Sequence, residues 1–222
     1  MVVLTPISTL MMTHMISRKA LMMSLSSRRG FLASSLAAIG AVILPSPGLA
    51  LTDADARALV DRAVNDINRV ISSGQPMNAM IREFEQVFQR YADVNIIARS
   101  TLGPDARRLS SSQMNAFTQA FRGYMARKYG RRFNEFKGGR IDVQSVGPVN
   151  SWHEVRAVAR IPGQSPVDVR FLVSDRSGRD LFFDIVIEGI SLRLTERTEI
   201  GAMLDRRNGD IDALISDLRS AG

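Results

Sequence analysis

The spacing of the apolar residues changes at Gly138, and this change constrains the fold more than any other feature of the sequence. From Leu51 to Tyr129, apolar residues recur at the spacing of amphipathic helices. After Gly138 they alternate with polar residues, as in half-buried strands. This order predicts an α+β fold, in which amphipathic helices pack on one face of a curved antiparallel sheet and more helices follow it.

Capping residues and breaks divide the helical parts of the sequence. We expect the first helix to be capped by Asp53 or Asp55 and the fourth by a serine in 110–112. After the sheet, two terminal helices are predicted, with Thr195 and Asp210 as their caps.

The stretch from Leu181 to Arg197 is the strongest strand in the sequence, followed by a glycine break and the start of a helix. Alternation places Leu181, Phe183, Ile185 and Ile187 on one face of this strand. Short connections between the strands predict antiparallel hairpins with one continuous apolar face.

Residues 1–50 resemble an export leader. Ser27 to Ala33 reads SRRGFLA, which resembles a twin-arginine motif, and an apolar run to Leu44 follows. Small residues at Gly48 and Ala50 predict cleavage after Ala50 and export to the periplasm. We also expect translation to begin later than Met1, at one of the internal methionines 15, 22 or 23.

Composition predicts that residues 51–222 form a single domain, because 45% of the 222 residues are hydrophobic. The formal charge of +7 falls to +3 without the leader, since 29 − 4 = 25 basic residues then face 22 acidic ones. A charge this small requires no nucleic-acid partner. The absence of cysteine excludes disulfides and thiol catalysis.

We predict no catalytic residues, no metal site and no cofactor. The sequence contains no HExxH, GxSxG or phosphate-binding glycine motif. His153 is the one histidine after the leader, and Ser191 has no basic partner near it in sequence. An exported hydrolase using Ser191 or His153 stays as a minor alternative.

The C-terminal third contains a more specific pattern. Asp184, then VIEGISL over residues 186–192, then Arg197 is followed by GDIDALI over residues 209–215. An earlier segment reads ARSTLG over residues 98–103. Together they resemble the MlaC family of periplasmic phospholipid-binding proteins, also called toluene-tolerance or ABC-transporter auxiliary proteins, although Asp180 stands where many members have tryptophan.

The resemblance implies a lipid carrier and names its partners. It implies bound phospholipid as cargo, an inner-membrane Mla-type ABC transporter with a membrane-anchored substrate-binding subunit, and an outer-membrane lipoprotein complex. We expect a monomer that helps to maintain outer-membrane lipid asymmetry. A hopanoid-associated carrier and a ligand-free adaptor of an ABC transporter are the alternatives.

The resemblance also implies an apolar cavity between sheet and helices. Candidate wall residues are those on the apolar sheet face and those on the helices above it: Val155, Val169, Phe171, Val173, Phe183, Ile185, Ile187, Phe84, Phe117, Phe121 and Met125. Alternation alone does not distinguish such a cavity from a filled core. The polar signature residues Asp184, Glu188, Gly189, Ser191 and Arg197 are expected to fix the strand-to-helix corner, with Arg197 pairing with Asp184 or Glu188.

Overall fold

A computed structural model describes residues 50–136 and 138–222 of the chain. The predicted leader, apart from Ala50, lies outside the described residues. Within these ranges the chain forms six α-helices: α1 (Asp53–Ser72), α2 (Met77–Tyr91), α3 (Val94–Leu102), α4 (Ser111–Gly130), α5 (Leu192–Arg206) and α6 (Ile211–Ser220). Short 3₁₀ helices follow α3 (Gly103–Arg107) and α4 (Arg131–Phe136).

Five strands form one antiparallel sheet in the order β1-β2-β3-β4-β5. Their bounds are β1 (Arg140–Val149), β2 (Trp152–Arg160), β3 (Val167–Ser174), β4 (Leu181–Ile187) and β5 (Ile190–Ser191). Each strand pairs with the next along the chain, so the predicted hairpins are confirmed. The sheet does not close into a barrel, and the predicted α+β class is confirmed.

The core lies between one face of the sheet and the helices. Val155, Ala157 and Ala159 on β2 point into it and are buried, while Arg156 and Arg160 point away and are exposed. The hydrophobic effect thus selects the face that the helices cover.

Helix starts differ from the prediction at two of the four caps. Ser110 and Asp210 cap α4 and α6 as expected. The cap of α1 is Thr52, which precedes both predicted aspartates and whose hydroxyl accepts from the Asp55 backbone N–H. The cap of α5 is Ser191, not Thr195, because the Ser191 hydroxyl already accepts from Leu194 N–H one turn earlier.

A β-bulge in β4 overturns the predicted strand face. Val173 pairs with Phe182 and Leu172 with Asp184, so Phe183 has no opposite residue on β3. The extra residue reverses the alternation, as bulges do. Phe182 therefore shares its face with Ile185, and the prediction that Phe183 lies there is wrong.

Candidate functional site

An apolar cavity of about 780 Å³ lies between the sheet and helices α1, α2 and α4. Its walls come from the C-terminal halves of these helices and mainly from one end of the sheet, with Phe171 and Phe182 contributing from further along β3 and β4. At that end β1 begins, β2 ends, β3 begins and β4 ends. The cavity thus occupies one end of the domain, and the packed core fills the other.

Apolar side chains from all five strands, from several helices and from the β2–β3 connection form most of the cavity wall. They are Ala63, Val64, Ile67, Ile71, Phe84, Val87, Phe88, Met125, Phe136, Ile141, Ala159, Ile161, Val167, Val169, Phe171, Phe182, Ile185, Ile187, Ile190 and Leu192. Among the described residues, no cluster of histidine, cysteine, aspartate or glutamate is suited to a metal ion.

Six of the eleven predicted wall residues line this cavity: Phe84, Met125, Val169, Phe171, Ile185 and Ile187. Their contact with a lipid stays a prediction. The other five lie elsewhere. Phe117, Phe121, Val155 and Val173 are fully buried in the packed core, and Phe183 packs edge-on against Trp152 with ring centroids 5.9 Å apart.

Several of these five side chains miss the cavity because of where they lie along their helix or strand. Phe117 and Phe121 stack on one another two turns and one turn before Met125 on α4, and both are fully buried in the packed core. Val173 is at the far end of β3 from the cavity. Helical periodicity identifies the buried face of α4, but it does not show where along that face the core ends and the cavity begins.

Sequence reasoning missed the contribution of α1 to the cavity. Ala63, Val64, Ile67 and Ile71 lie on the predicted apolar stripe of that helix, and all four line the cavity. The stripe was visible in the sequence. What it contacts depends on how α1 crosses β1 and β2, and spacing carries no information on that.

The polar wall residues come from the same end of the sheet and the adjoining helix ends. They are Lys128, Tyr129, Arg132, Glu135, Gln164, Glu188 and Thr195. Gln164 precedes β3, Glu188 follows β4, and Arg132 follows α4. The cavity therefore has apolar walls and polar groups concentrated at one end, the arrangement of a site for an amphipathic molecule.

A partly buried polar cluster around Glu196 joins α4 to α5 beside this end. The Lys128 ammonium donates to Glu196 Oε1 at 2.7 Å, to the Tyr124 hydroxyl at 3.0 Å and to Glu199. The Tyr129 hydroxyl donates to the same Glu196 oxygen at 2.5 Å. Burial alone would lower the pKa of Lys128, but hydrogen bonds to the two glutamates outweigh it and raise that pKa. Burial and Glu196 likewise raise the pKa of Tyr129, which keeps its proton.

Asp184 organises the corner between β4 and α5. It is 3% exposed and accepts from the Ser191 hydroxyl at 2.6 Å, from Ile185 N–H at 2.8 Å and from Arg193 N–H at 3.1 Å. The Arg193 guanidinium lies 3.5 Å from it. These contacts agree with a structural role of the signature aspartate.

Glu188 and Gly189 form the two-residue turn between β4 and β5. Both have positive φ, 48° and 80°, as a type I′ turn requires. The Glu188 carboxylate accepts from Asp168 N–H at 2.6 Å, and Glu188 N–H donates to Asp168 C=O at 3.0 Å. The turn is thereby fixed to the start of β3.

Arg197 does not pair with Asp184 or Glu188, and that prediction is wrong. Arg193 takes the place beside Asp184, because Ser191 starts α5 early and brings the second residue of the helix to that carboxylate. The Arg197 guanidinium lies instead over Gly103, where a Cβ atom would come within 2.9 Å of it. Gly103 also has a φ of 59°, so both the close approach of Arg197 and the backbone conformation favour glycine at this position.

Ser191 and His153, the two residues considered for catalysis, are not in contact. Ser191 is on β5 and His153 on β2, three strands apart, so at least about 14 Å separates them at ~4.8 Å per strand. The His153 ring nitrogen lies 2.7 Å from an Asp53 carboxylate oxygen. The Ser191 hydroxyl donates to Asp184 and accepts from Leu194 N–H as the cap of α5. Neither forms the nucleophile–base pair of a hydrolase.

Comparison with protein families now adds to this geometry. A family model described as MlaC protein matches residues 58–220. The chain belongs to the MlaC family. The match spans all the strands and helices α2 to α6, as well as most of α1, so the family covers both walls of the cavity. The predicted resemblance is confirmed.

A solved structure shares the fold. The phospholipid-binding protein from Ralstonia solanacearum, in complex with a phospholipid, superposes with a TM-score of 0.64. It is 19% identical in sequence, and the match covers 74% of this chain and 95% of that one. In the part of the chain that the structure describes, no helix is both long enough and apolar enough to span a bilayer.

Proposed function

We propose that this MlaC-family protein is a carrier that binds one phospholipid, with its two acyl chains in the apolar cavity and its head group at the polar end. The observation that carries the proposal is the cavity itself, with polar wall residues concentrated at one end. The phospholipid-bound relative of the same fold supports it. The cargo would be a ligand to be released and not a resident cofactor.

The size of the cavity fits two acyl chains. A methylene group needs about the volume of one water molecule in the liquid, ~30 Å³. The volume of 780 Å³ then holds about 780/30, or roughly 26 methylene groups. Two chains of sixteen carbons contain about 32 such groups, so most of both chains fit and the last carbons lie at the mouth.

The energetics of burial favour exchange between similar environments. Burying one methylene group is worth ~0.8 kcal/mol, so about 26 of them represent about 21 kcal/mol of gross stabilisation. A lipid cannot cross water unaided against such a cost on a useful timescale. A cavity that is nearly as apolar as the bilayer makes transfer from membrane to carrier close to balanced, which is what a carrier needs.

The cellular setting follows from the family and from the leader. We infer that the chain works in the periplasm after export by its twin-arginine-type leader. There it would carry phospholipid between an outer-membrane lipoprotein complex and an inner-membrane ABC transporter with its membrane-anchored subunit. This exchange would maintain the lipid asymmetry of the outer membrane.

Native mass spectrometry of the mature protein, purified from the periplasm without detergent, tests the proposal. We expect one two-chain phospholipid per protein chain, identified after extraction. Repeated lipid-free preparations would overturn it in favour of a ligand-free adaptor. A polycyclic lipid in place of a phospholipid would assign the protein to hopanoid transport instead.

A further inference from the structure

The corner between β5 and α5 exposes two large apolar side chains. Ile190 is 63% exposed and Leu194 is 52% exposed, and they are the exposed large hydrophobic residues of the described chain. They stand four positions apart, on either side of the helix cap Ser191. Water-exposed isoleucine and leucine side chains at one corner are a feature of surfaces that contact an apolar partner.

This corner is also the edge of the cavity. Ile190 lines the cavity wall while most of its side chain faces solvent. In the first turn of α5, Leu192 and Thr195 line the cavity, whereas Leu194 lies outside its lining. Ile190 thus belongs both to the cavity wall and to the outer surface, and the exposed Leu194 follows it in the first turn of α5.

Two arginines follow α4 at the cavity, and the second of them lines it. The Lys128–Glu196 contact holds the end of α4 against the first turns of α5, and Arg131 and Arg132 follow directly after α4. Both are exposed, and neither forms an ion pair with a residue that the structure describes. The carboxylates that line the cavity here are Glu135, which is exposed, and Glu188, one of whose oxygens accepts from Asp168 N–H; Glu199 nearby is paired with Lys128.

We propose that this rim, formed by Ile190, Leu194, Arg131 and Arg132, docks on the surface of an anionic lipid bilayer. The inference rests on the carrier function and adds how the cavity meets its source of lipid. Ile190 and Leu194 insert among the lipid chains, and the arginines contact lipid phosphates. Acyl chains then pass between bilayer and cavity over Ile190, with less exposure to water.

The strength expected of this contact suits a carrier. Two partly exposed apolar residues and two arginines provide weak, reversible membrane binding, since each basic residue near an anionic surface and each inserted side chain adds only a small increment. A carrier that bound the membrane permanently could not move its cargo.

Flotation with vesicles of phosphatidylcholine, with and without phosphatidylglycerol, tests the proposal. We expect the wild-type protein to bind the anionic vesicles better and to lose binding as salt is added. The variant L194S/R131E changes no cavity-lining residue, so we expect it to keep its co-purified lipid. It should partition about tenfold less, equivalent to about 1.4 kcal/mol.

Matched controls separate this rim from general surface effects. L194M keeps an apolar side chain, and R179E reverses a charge in the β3–β4 turn at the opposite end of the sheet, so both should bind vesicles like the wild type. Equal binding of L194S/R131E and wild type would overturn the proposal. So would wild-type binding to native inner-membrane vesicles but not to pure lipid vesicles, which would make the rim a protein-docking surface.

The lipid content of the protein reports separately on the carrier function. Lipid-loaded protein that ignores vesicles contradicts the docking proposal alone. Lipid-free protein that binds anionic vesicles through Leu194 and Arg131 contradicts the carrier function alone.

Discussion

Replacing Val169 with tryptophan should shorten the lipid that the protein carries. Val169 is 5% exposed, lines the cavity, and lies between Ala157 on β2 and Ile187 on β4. The substitution adds about seven non-hydrogen atoms to a wall that encloses room for roughly 26 methylene groups. If the new ring occupies the cavity, about a quarter of its capacity is lost.

The cost to a full-length lipid follows from the same figures. Displacing about seven methylene groups into water forfeits about 5–6 kcal/mol at ~0.8 kcal/mol each. We therefore expect V169W to select lipids that are shorter by about seven carbons in total, or to retain much less lipid.

Extraction and mass spectrometry of the bound lipid measure this shift directly. L172W is the matched control. Leu172 is half-buried on the same strand, but it lies on the opposite face of the sheet and does not line the cavity. Circular dichroism confirms that both variants fold. An unchanged acyl-chain distribution and lipid content in folded V169W would refute the placement of the chains in this cavity.

Three further predictions concern stability, measured by urea unfolding. E196A should cost about 3 kcal/mol, because it removes the fully buried carboxylate that Lys128 needs, whereas E199A, with its side chain 45% exposed, should cost at most about 1 kcal/mol. S191A should cost about 2 kcal/mol, since it removes the α5 cap and leaves an oxygen of buried Asp184 without its donor. Burial raises the pKa of Glu199, but hydrogen bonds, including that from Lys128, lower it by more, so the pKa in the folded protein lies below the ordinary 4.5. The contribution of Glu199 to the free energy of unfolding is therefore fully present above pH 4.5 and is lost as the pH falls through the lower folded value. E199Q should weaken this loss of stability at acid pH.

The sequence predicted the elements of the fold well, because each is specified locally. Helical spacing and the caps Ser110 and Asp210 mark where α4 and α6 begin. Strict alternation in β2 and β3 likewise fixes which face of the sheet is buried.

The cavity was less predictable, because it depends on how the elements meet. The bulge in β4 exchanges Phe183 for Phe182 in the wall, and nothing in the alternating pattern marks where the extra residue falls. The start of α5 at Ser191 gives Asp184 the partner Arg193 in place of Arg197. Both misses come from a one-residue or one-turn shift that tertiary contacts decide.

The apolar walls of the cavity link the stability of the protein to the lipid that we propose it carries. Each methylene group that a bound acyl chain buries against walls such as Phe88 and Phe171 would stabilise the lipid-loaded form by ~0.8 kcal/mol. Under this proposal, bound lipid would act as part of the hydrophobic core. We expect delipidated protein to melt well below the lipid-loaded form and to recover its melting temperature when phospholipid is restored, as calorimetry of the two forms would show. Equal melting temperatures for both forms would mean that the walls close on themselves when the lipid leaves.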